Sequence, residues 1–258
     1  MLGGAPGIGK TAFTQQLFEG IAAQGTPVLY FNLEMSREQL WARRVAKRSA
    51  IPYTLLQNGK FTDDGDDRDI WRRVTKAIDD LSGLNVIISD ANAKLDDIER
   101  HVRSAGKLDL VIVDHMGFII PDKANAELYW TTTMVSHRLK RLAKATGTPV
   151  LMLCQLNRAA ENRMDKRPAL SDLRNSGAIE EDSDAVIGLY REDYYKPQEE
   201  QPKPWEPQTM EVITLKNRHG QTGTNYFDFV GSISNVREKN GRGFRDNKER
   251  TPFDGGGL

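Results

Sequence analysis

The chain has 258 residues, with 36 basic and 36 acidic side chains and a formal net charge of zero. That length accommodates one large α/β domain with a substantial core. The charge balance excludes a polybasic coat, so any contact with nucleic acid has to come from a local patch. A single cysteine, Cys154, excludes a disulfide framework and a multi-cysteine zinc site, and fits a reducing cytoplasm. The four histidines are scattered without an HExxH pair, so no protein-built metal site is expected. No apolar run is long enough to span a bilayer and no signal-peptide pattern opens the chain, so no membrane partner is expected.

Gly4-Ala5-Pro6-Gly7-Ile8-Gly9-Lys10-Thr11 comes first, a full match to GxxxxGK[ST]. The small residues Gly4, Gly7 and Gly9 let backbone N–H groups close around a β-phosphate, with the positive end of the following helix behind them. Lys10 then neutralises the β- and γ-phosphates and Thr11 places a hydroxyl on Mg²⁺, so ATP and Mg²⁺ are expected. Only Met1, Leu2 and Gly3 precede the motif, so the strand that should feed it is expected to be missing. The helix is expected from Lys10 to Gly25, a natural C-terminal cap. Val28–Leu33 reads as a strand ending at Glu34. A carboxylate there can orient and polarise an attacking water, although position alone fits a solvated strand-end acid equally well. Ser36 and Gln39 form a capping box for a helix to about Ser49.

Asn85–Ser89 and Leu108–Val113 are apolar at successive positions and are predicted as buried strands. The second leads to Asp114, the carboxylate that a phosphate-loop site needs for the Mg²⁺ water shell. Glu127–Ala145 is predicted as an amphipathic helix. Pro149–Leu153 is another buried strand, followed by Cys154, read as a small buried residue, and Gln155. The Gln155 amide suits a γ-phosphate contact or, equally, a plain surface position. The segment Ser171–Gly177, with Arg174, Asn175 and Gly177, suits phosphate binding through backbone amides and also N-capping of an acidic helix at Ile179–Asp184. Ala185–Tyr190 is a strand, and Glu192–Pro207, Pro-rich and acidic, an exposed hairpin loop. Met210–Lys216 and Thr224–Val230 are predicted to pair antiparallel. Lys216 and Arg218 point to one side, read first as an exposed basic strand end, or else as cations reaching a phosphate in this subunit or a neighbour. From Ser232 the chain turns polar and Gly-rich, so the domain is expected over 1–231 and a disordered tail over 232–258. Strand and helix alternate, which predicts an α/β fold with a mostly parallel sheet flanked by helices and a C-terminal antiparallel hairpin.

Together these segments resemble the C-terminal motor domain of DnaB-type replicative helicases, from the phosphate loop to about Val230. Asn32-Leu33-Glu34-Met35-Ser36 is similar to the family segment that holds its catalytic Glu, and Val111-Ile112-Val113-Asp114 to its Walker B strand. Gln155-Leu156-Asn157-Arg158, Lys166-Arg167-Pro168 with Ser171-Asp172-Leu173-Arg174 and Ser176-Gly177, and Lys216-Asn217-Arg218-His219-Gly220 resemble further family motifs. The resemblance implies a RecA-like P-loop NTPase that hydrolyses ATP as a homo-hexamer. It implies DNA loops at Arg174, Asn175 and Gly177, a Gln155 that contacts the γ-phosphate, and Lys216 and Arg218 acting on a neighbour's nucleotide. It also implies single-stranded DNA, primase and a helicase loader as partners, and a cytoplasmic setting, at the nucleoid or in a virus-infected bacterial cell. His115-Met116-Gly117 departs from the family, which often has Tyr-Leu-Gln there, and Gly117 cannot make an amide's hydrogen bonds. The rival readings are a RecA-type recombination or repair ATPase, which predicts filaments, and a nucleotide-binding interaction module, which predicts binding without turnover.

Overall fold

The computed structural model describes residues 1–59, 66–89, 94–120, 128–157, 163–173, 176–239 and 245–246. In chain order, β1 (Leu2–Gly4) leads through the glycine-rich loop into α1 (Lys10–Ala22), then β2 (Val28–Asn32) and α2 (Arg37–Ser49). Next come α3 (Tyr53–Asn58), α4 (Asp66–Ser82), β3 (Val86–Ser89), α5 (Leu95–Ser104), β4 (Leu110–Asp114) and α6 (Leu128–Thr146). After β5 (Val150–Gln155) follow the short α7 (Ser176–Asp182), β6 (Ala185–Tyr190), β7 (Gln208–Asn217), β8 (Gly223–Val230), β9 (Asn235–Glu238) and β10 (Arg245–Asp246).

The strands form one sheet in the order β10-β8-β7-β6-β1-β5-β4-β2-β3, with β9 also paired to β8. The six strands from β6 to β3 run parallel, and β7 to β10 are antiparallel. Every residue of β2 and β4 is buried. That is why both read as unbroken apolar runs: a parallel strand covered on both faces has no polar face to show. Successive side chains go to opposite faces. Tyr30 and Ile112 pack with Phe18 of α1 in one core, whereas Phe31, Val111 and Val113 pack with Ile98 of α5 and Leu139 of α6 in the other. The expected capping box starts α2: Ser36 Oγ accepts from Gln39 N, and Gln39 Oε1 accepts from Ser36 N.

Three expectations are overturned. The strand expected to be buried at Asn85–Ser89 is β3, at the edge of the sheet, with Ile87 exposed and only Ser89 buried. The strand expected to be missing is present as β1, three residues at the centre of the sheet. Leu2 pairs with Leu153 on one side and Ile187 on the other, and is fully buried. A Leu-Gly-Gly strand carries no apolar run, so pattern reading passes over it; its main chain, paired on both sides, makes it a strand. A Cβ on Gly4 would meet Ile8 Cγ2 at 2.7 Å, so the close approach of the loop requires glycine there. The expected tail is also ordered in its first part. Residues 231–233 form a 3₁₀ turn, and β9 pairs with β8 and buries Val236 completely. With one core-facing apolar residue, β9 offers too little alternation to be read from sequence.

Truncating the central strand tests its weight. Leu2→Ala is expected to destabilise the domain by about 2–5 kcal/mol, the usual cost of a buried Leu. Urea unfolding followed by circular dichroism measures it; a loss below about 0.5 kcal/mol would place Leu2 outside the core.

Candidate active site

The parallel strands end on one side of the sheet, and Lys10, Thr11, Glu34, Asp114 and Gln155, singled out from the sequence, gather there. The loop from Gly4 to Gly9 leaves β1 and enters α1 with Gly7 at φ +70° and Gly9 at φ +111°, values that L side chains rarely adopt. Ile8 is buried in the core and pins the loop's floor. Lys10 is 7% exposed, and its ammonium donates to Gly4 O at 3.1 Å and Ala5 O at 2.9 Å. Burial lowers its pKa, against the opposing pull of Glu34 and Asp114.

Asp114 closes β4 and is 1% exposed. Its Oδ2 accepts from Thr11 Oγ1 at 3.1 Å and, in a short contact, from the Tyr30 hydroxyl. Its Oδ1 is buried with no hydrogen-bond partner among the described residues. Burial raises the Asp114 pKa, and the bonds from Tyr30 and Thr11 pull it back. Burial, followed by the adjacent carboxylate, raises that of Tyr30. Glu34, just past β2, is 40% exposed. Gln155, at the end of β5, pairs through its backbone with Gly4.

Between these two lies His115. Its Nε2 is 3.2 Å from Gln155 Nε2 and 3.7 Å from Glu34 Oε2, and its Nδ1 accepts from Gly117 N at 2.9 Å. Burial lowers the His115 pKa, with Glu34 and Asp114 acting in the opposite direction.

Lys10, Thr11, Glu34 and Gln155 line a cleft of about 480 Å³ that runs towards Gln208, Phe229 and Ser234. Sequence reading missed several of its walls. Arg43 of α2 lines it, with a buried Nε that has no hydrogen-bond partner among the described residues. Arg191, another wall, braces the loop. Its guanidinium donates to Ile8 O at 2.9 Å, to Gly7 O at 3.1 Å and to Gln208 Oε1, and stacks 4.3 Å over the Phe229 ring. Burial lowers its pKa to about 10. No motif marks Arg191; its place just after β6, beside β1, does. Tyr194, in the segment expected to be an exposed loop, donates to Pro6 O at 2.7 Å.

Other expected residues lie apart from the cleft. Lys216 pairs with Val186 and Asn217 with Ala185, at the start of β6. Ala185 is three residues before Gly188, the partner of Gly3, so these cations sit roughly 10 Å back along the sheet from the loop's root. Arg218 falls one residue past β7 rather than on it. Lys216 donates to Glu180 O, and Arg218 to Glu181 O at 3.0 Å and to Asp184 Oδ1 at 2.9 Å. Gly177 stands in the first turn of α7 with open space around it. Asp172, in the 3₁₀ turn at Leu170–Asp172, is 5% exposed and receives two bonds from Arg163, so it is an internal anchor. Arg158, Arg174 and Asn175 lie outside the described residues. Cys154 is buried, and burial raises its thiol to a pKa of about 11.

A parallel sheet, a glycine-rich phosphate loop at its centre and carboxylates on adjacent strand ends define a RecA-like P-loop domain. The family described as DnaB-like helicase C-terminal domain matches residues 1–238. The chain therefore belongs to the DnaB-like helicase C-terminal domain family. Among curated relatives, the replicative DNA helicase DnaB of Geobacillus stearothermophilus is 33% identical over 231 residues, 87% of this chain and 49% of the relative. That of Haemophilus influenzae is 33% identical over 256 residues, 93% and 51% of the two. The chain thus spans about half the length of the curated relatives it matches. Among solved structures, one described as an ATPase domain superposes with a TM-score of 0.83 at 30% identity, over 92% of this chain and 83% of that one. A DnaB-like replicative helicase described with its interactions with primase gives 0.82 at 30%, over 92% and 57%. No helix among the described residues is long and apolar enough to cross a membrane.

Arg191 is expected to matter more than its lack of a motif suggests. Arg191→Ala removes charged donors from the buried Ile8 carbonyl and the part-buried Gly7 carbonyl and should cost about 2 kcal/mol. Nucleotide affinity, read with a fluorescent ATP analogue, should fall with it. Unchanged unfolding and affinity would show that the loop holds its shape unaided.

Proposed function

We propose that this chain is the motor domain of a replicative DNA helicase, hydrolysing ATP with Mg²⁺ at the subunit interfaces of a homo-hexamer and translocating on single-stranded DNA. One observation carries the reading: the residues proposed to handle phosphate lie at one end of the strands, and Lys216 and Arg218 lie back towards the other. Lys10, Thr11, Glu34, Asp114 and Gln155 meet at the C-terminal ends of the parallel strands, whereas Lys216 and Arg218 are set back at the start of β6. Phosphoryl transfer benefits from a further cation at the transition state, and Arg218 supplies it only to a neighbouring subunit.

The residues fit a metal-bound nucleotide. Thr11 Oγ1 and Asp114 Oδ2 are 3.1 Å apart, and the buried Asp114 Oδ1 has an unmet acceptor, so these two would hold Mg²⁺. The metal supplies charge neutralisation at the β- and γ-phosphate oxygens. Gly4, Gly7 and Gly9 let the loop's amides bind phosphate, and Lys10 adds a positive charge. Glu34 orients the attacking water and takes up its proton. Gln155 contacts the γ-phosphate. The backbone beyond it is tied to the next loop, since Asn157 N donates to Asp172 O at 2.7 Å and Leu156 bridges to Leu173. Arg174, Asn175 and Gly177 follow that turn and hold DNA phosphates without reading sequence. Primase and a helicase loader are the protein partners proposed, and the bacterial cytoplasm, at the nucleoid or during virus infection, is the setting.

Glu34→Gln should keep ATP binding and lower hydrolysis about a hundredfold or more, the reach of a positioned base. A parallel loss of affinity would make Glu34 a structural residue instead. For Arg218, the test mixes two inactive proteins, Lys10→Ala and Arg218→Ala. Mixed rings, verified by size and tagged pull-down, contain interfaces with an intact loop facing an intact Arg218 and should regain ATPase activity. Activity that stays at baseline in such rings rules out action across the interface, and filaments in place of rings in electron micrographs would favour a recombination ATPase.

A further inference from the structure

We propose that His115 is a positioning residue that joins Glu34 to Gln155, fixing which end of the Gln155 amide faces the cleft; the assignment rests on the ATPase reading above. The ring is held from behind. Its Nδ1 accepts from Gly117 N–H at 2.9 Å, and a backbone N–H only donates, so Nδ1 presents its lone pair. In the neutral ring the proton therefore sits on Nε2. That N–H faces the Gln155 amide at 3.2 Å and the Glu34 carboxylate at 3.7 Å.

One consequence is chemical. An Nε2–H and an amide NH₂ are both donors and do not bond each other, so the amide turns its Oε1 towards the histidine. The two ends of an amide are interchangeable by a half-turn of the side chain. The Gln155 NH₂ is then directed away from His115, where it donates to a phosphate oxygen. Among the described residues, His115 is the one hydrogen-bond partner of the Gln155 side chain that can select its donor end over its acceptor end. The same N–H is in reach of Glu34 when that side chain shifts by less than 1 Å towards a hydrogen-bond distance, about 3 Å. The groups that orient water and contact the γ-phosphate thus share one donor. No bond is made or broken at His115.

A second consequence explains the departure from the family at His115-Met116-Gly117. A Cβ at position 117 would come within 2.7 Å of His115 Cε1 and 3.0 Å of Nδ1. The ring occupies the space that any side chain at 117 would need, and Phe118 sits 4.7 Å away, centroid to centroid. The histidine side chain is 8% exposed, so it has one place to be. The imidazole of His115, held by the Gly117 N–H, fills the space that a side-chain amide at position 117 would need.

Two substitutions in the full chain separate relay from local support. The amide of His115→Asn reaches the Nδ1 position and keeps the bond to Gly117 N–H, but presents nothing at the Nε2 position. The amide of His115→Gln reaches the Nε2 position and restores a donor there. His115→Asn should lower kcat about tenfold with KM for ATP within about twofold and an unchanged melting temperature, while His115→Gln recovers most of the rate. Histidine-selective ¹⁵N NMR without nucleotide gives a readout apart from activity: His115 should be the Nε2–H tautomer, and Gln155→Ala should shift its signals. Wild-type kcat in His115→Asn, equal losses in both variants, or an Nδ1–H tautomer each overturn the proposal. Lys10→Ala in the same assay distinguishes the failures. Hydrolysis that survives it removes the ATPase reading, whereas Lys10-dependent hydrolysis with a fully active His115→Asn removes only the His115 assignment.

Discussion

The site depends on the pairing of three residues of main chain, Leu2–Gly4, between β5 and β6. This short strand ends level with Gln155, since Gly4 pairs with it, and launches the glycine-rich loop into α1. Because β4 lies directly beyond β5 in the sheet, Asp114 arrives beside Thr11. Because β2 lies beyond β4, with Asn32 opposite Asp114, Glu34 arrives next to His115. A slip in any of these registers would turn the pleat over and send the strand-end groups to the wrong face. The glycines serve the same constraint, since the loop passes so close to Ile8 and Met210 that side chains at Gly4 and Gly9 would collide with them.

Burial gives these groups their character. Lys10, Asp114 and His115 are all buried and stand close together. A charge taken out of water is costly unless it is paired and hydrogen-bonded. Lys10 meets this with two carbonyls, and Asp114 with two hydroxyls on one oxygen, leaving the other oxygen unmet. Polar groups fixed in a dry cleft stabilise charge more than the same groups in water, because they do not have to reorganise. Arg191, itself a wall of the cleft, extends the principle to the loop, where it meets the carbonyls of Gly7 and Ile8.

The cations on the far side obey a different logic. Lys216 and Arg218 donate to the last carbonyls of α7, where the helix end is negative. Asp184 is shared between Lys140 and Arg218. Partly exposed pairs of this kind are weak, so these side chains could exchange their present partners for a stronger anion. The start of α7 carries Gly177, so one short helix lies between the proposed DNA loop and the proposed trans-acting cations.

What the sequence determined by itself was everything that local geometry encodes. The glycine spacing of the phosphate loop, the unbroken apolar runs of β2 and β4, the capping box at Ser36 and Gln39, and the β7–β8 hairpin all follow from backbone preference and side-chain periodicity over a few residues. The strand-end positions of Glu34, Asp114 and Gln155 were legible for the same reason. Tertiary structure decided what pairs residues distant in the chain. β1 and β9 exist because neighbouring strands hydrogen-bond them, whatever their own composition. Tyr30 reaches Asp114 across 84 positions and Arg191 reaches Gly7 across 184. His115 fell in a stretch that differed from the family and gave no signal of its partners, and Lys216 and Arg218 gave none of which nucleotide they face. Such facts depend on strand order and register, and those are set by the burial of both faces of the sheet at once, which no window of sequence contains.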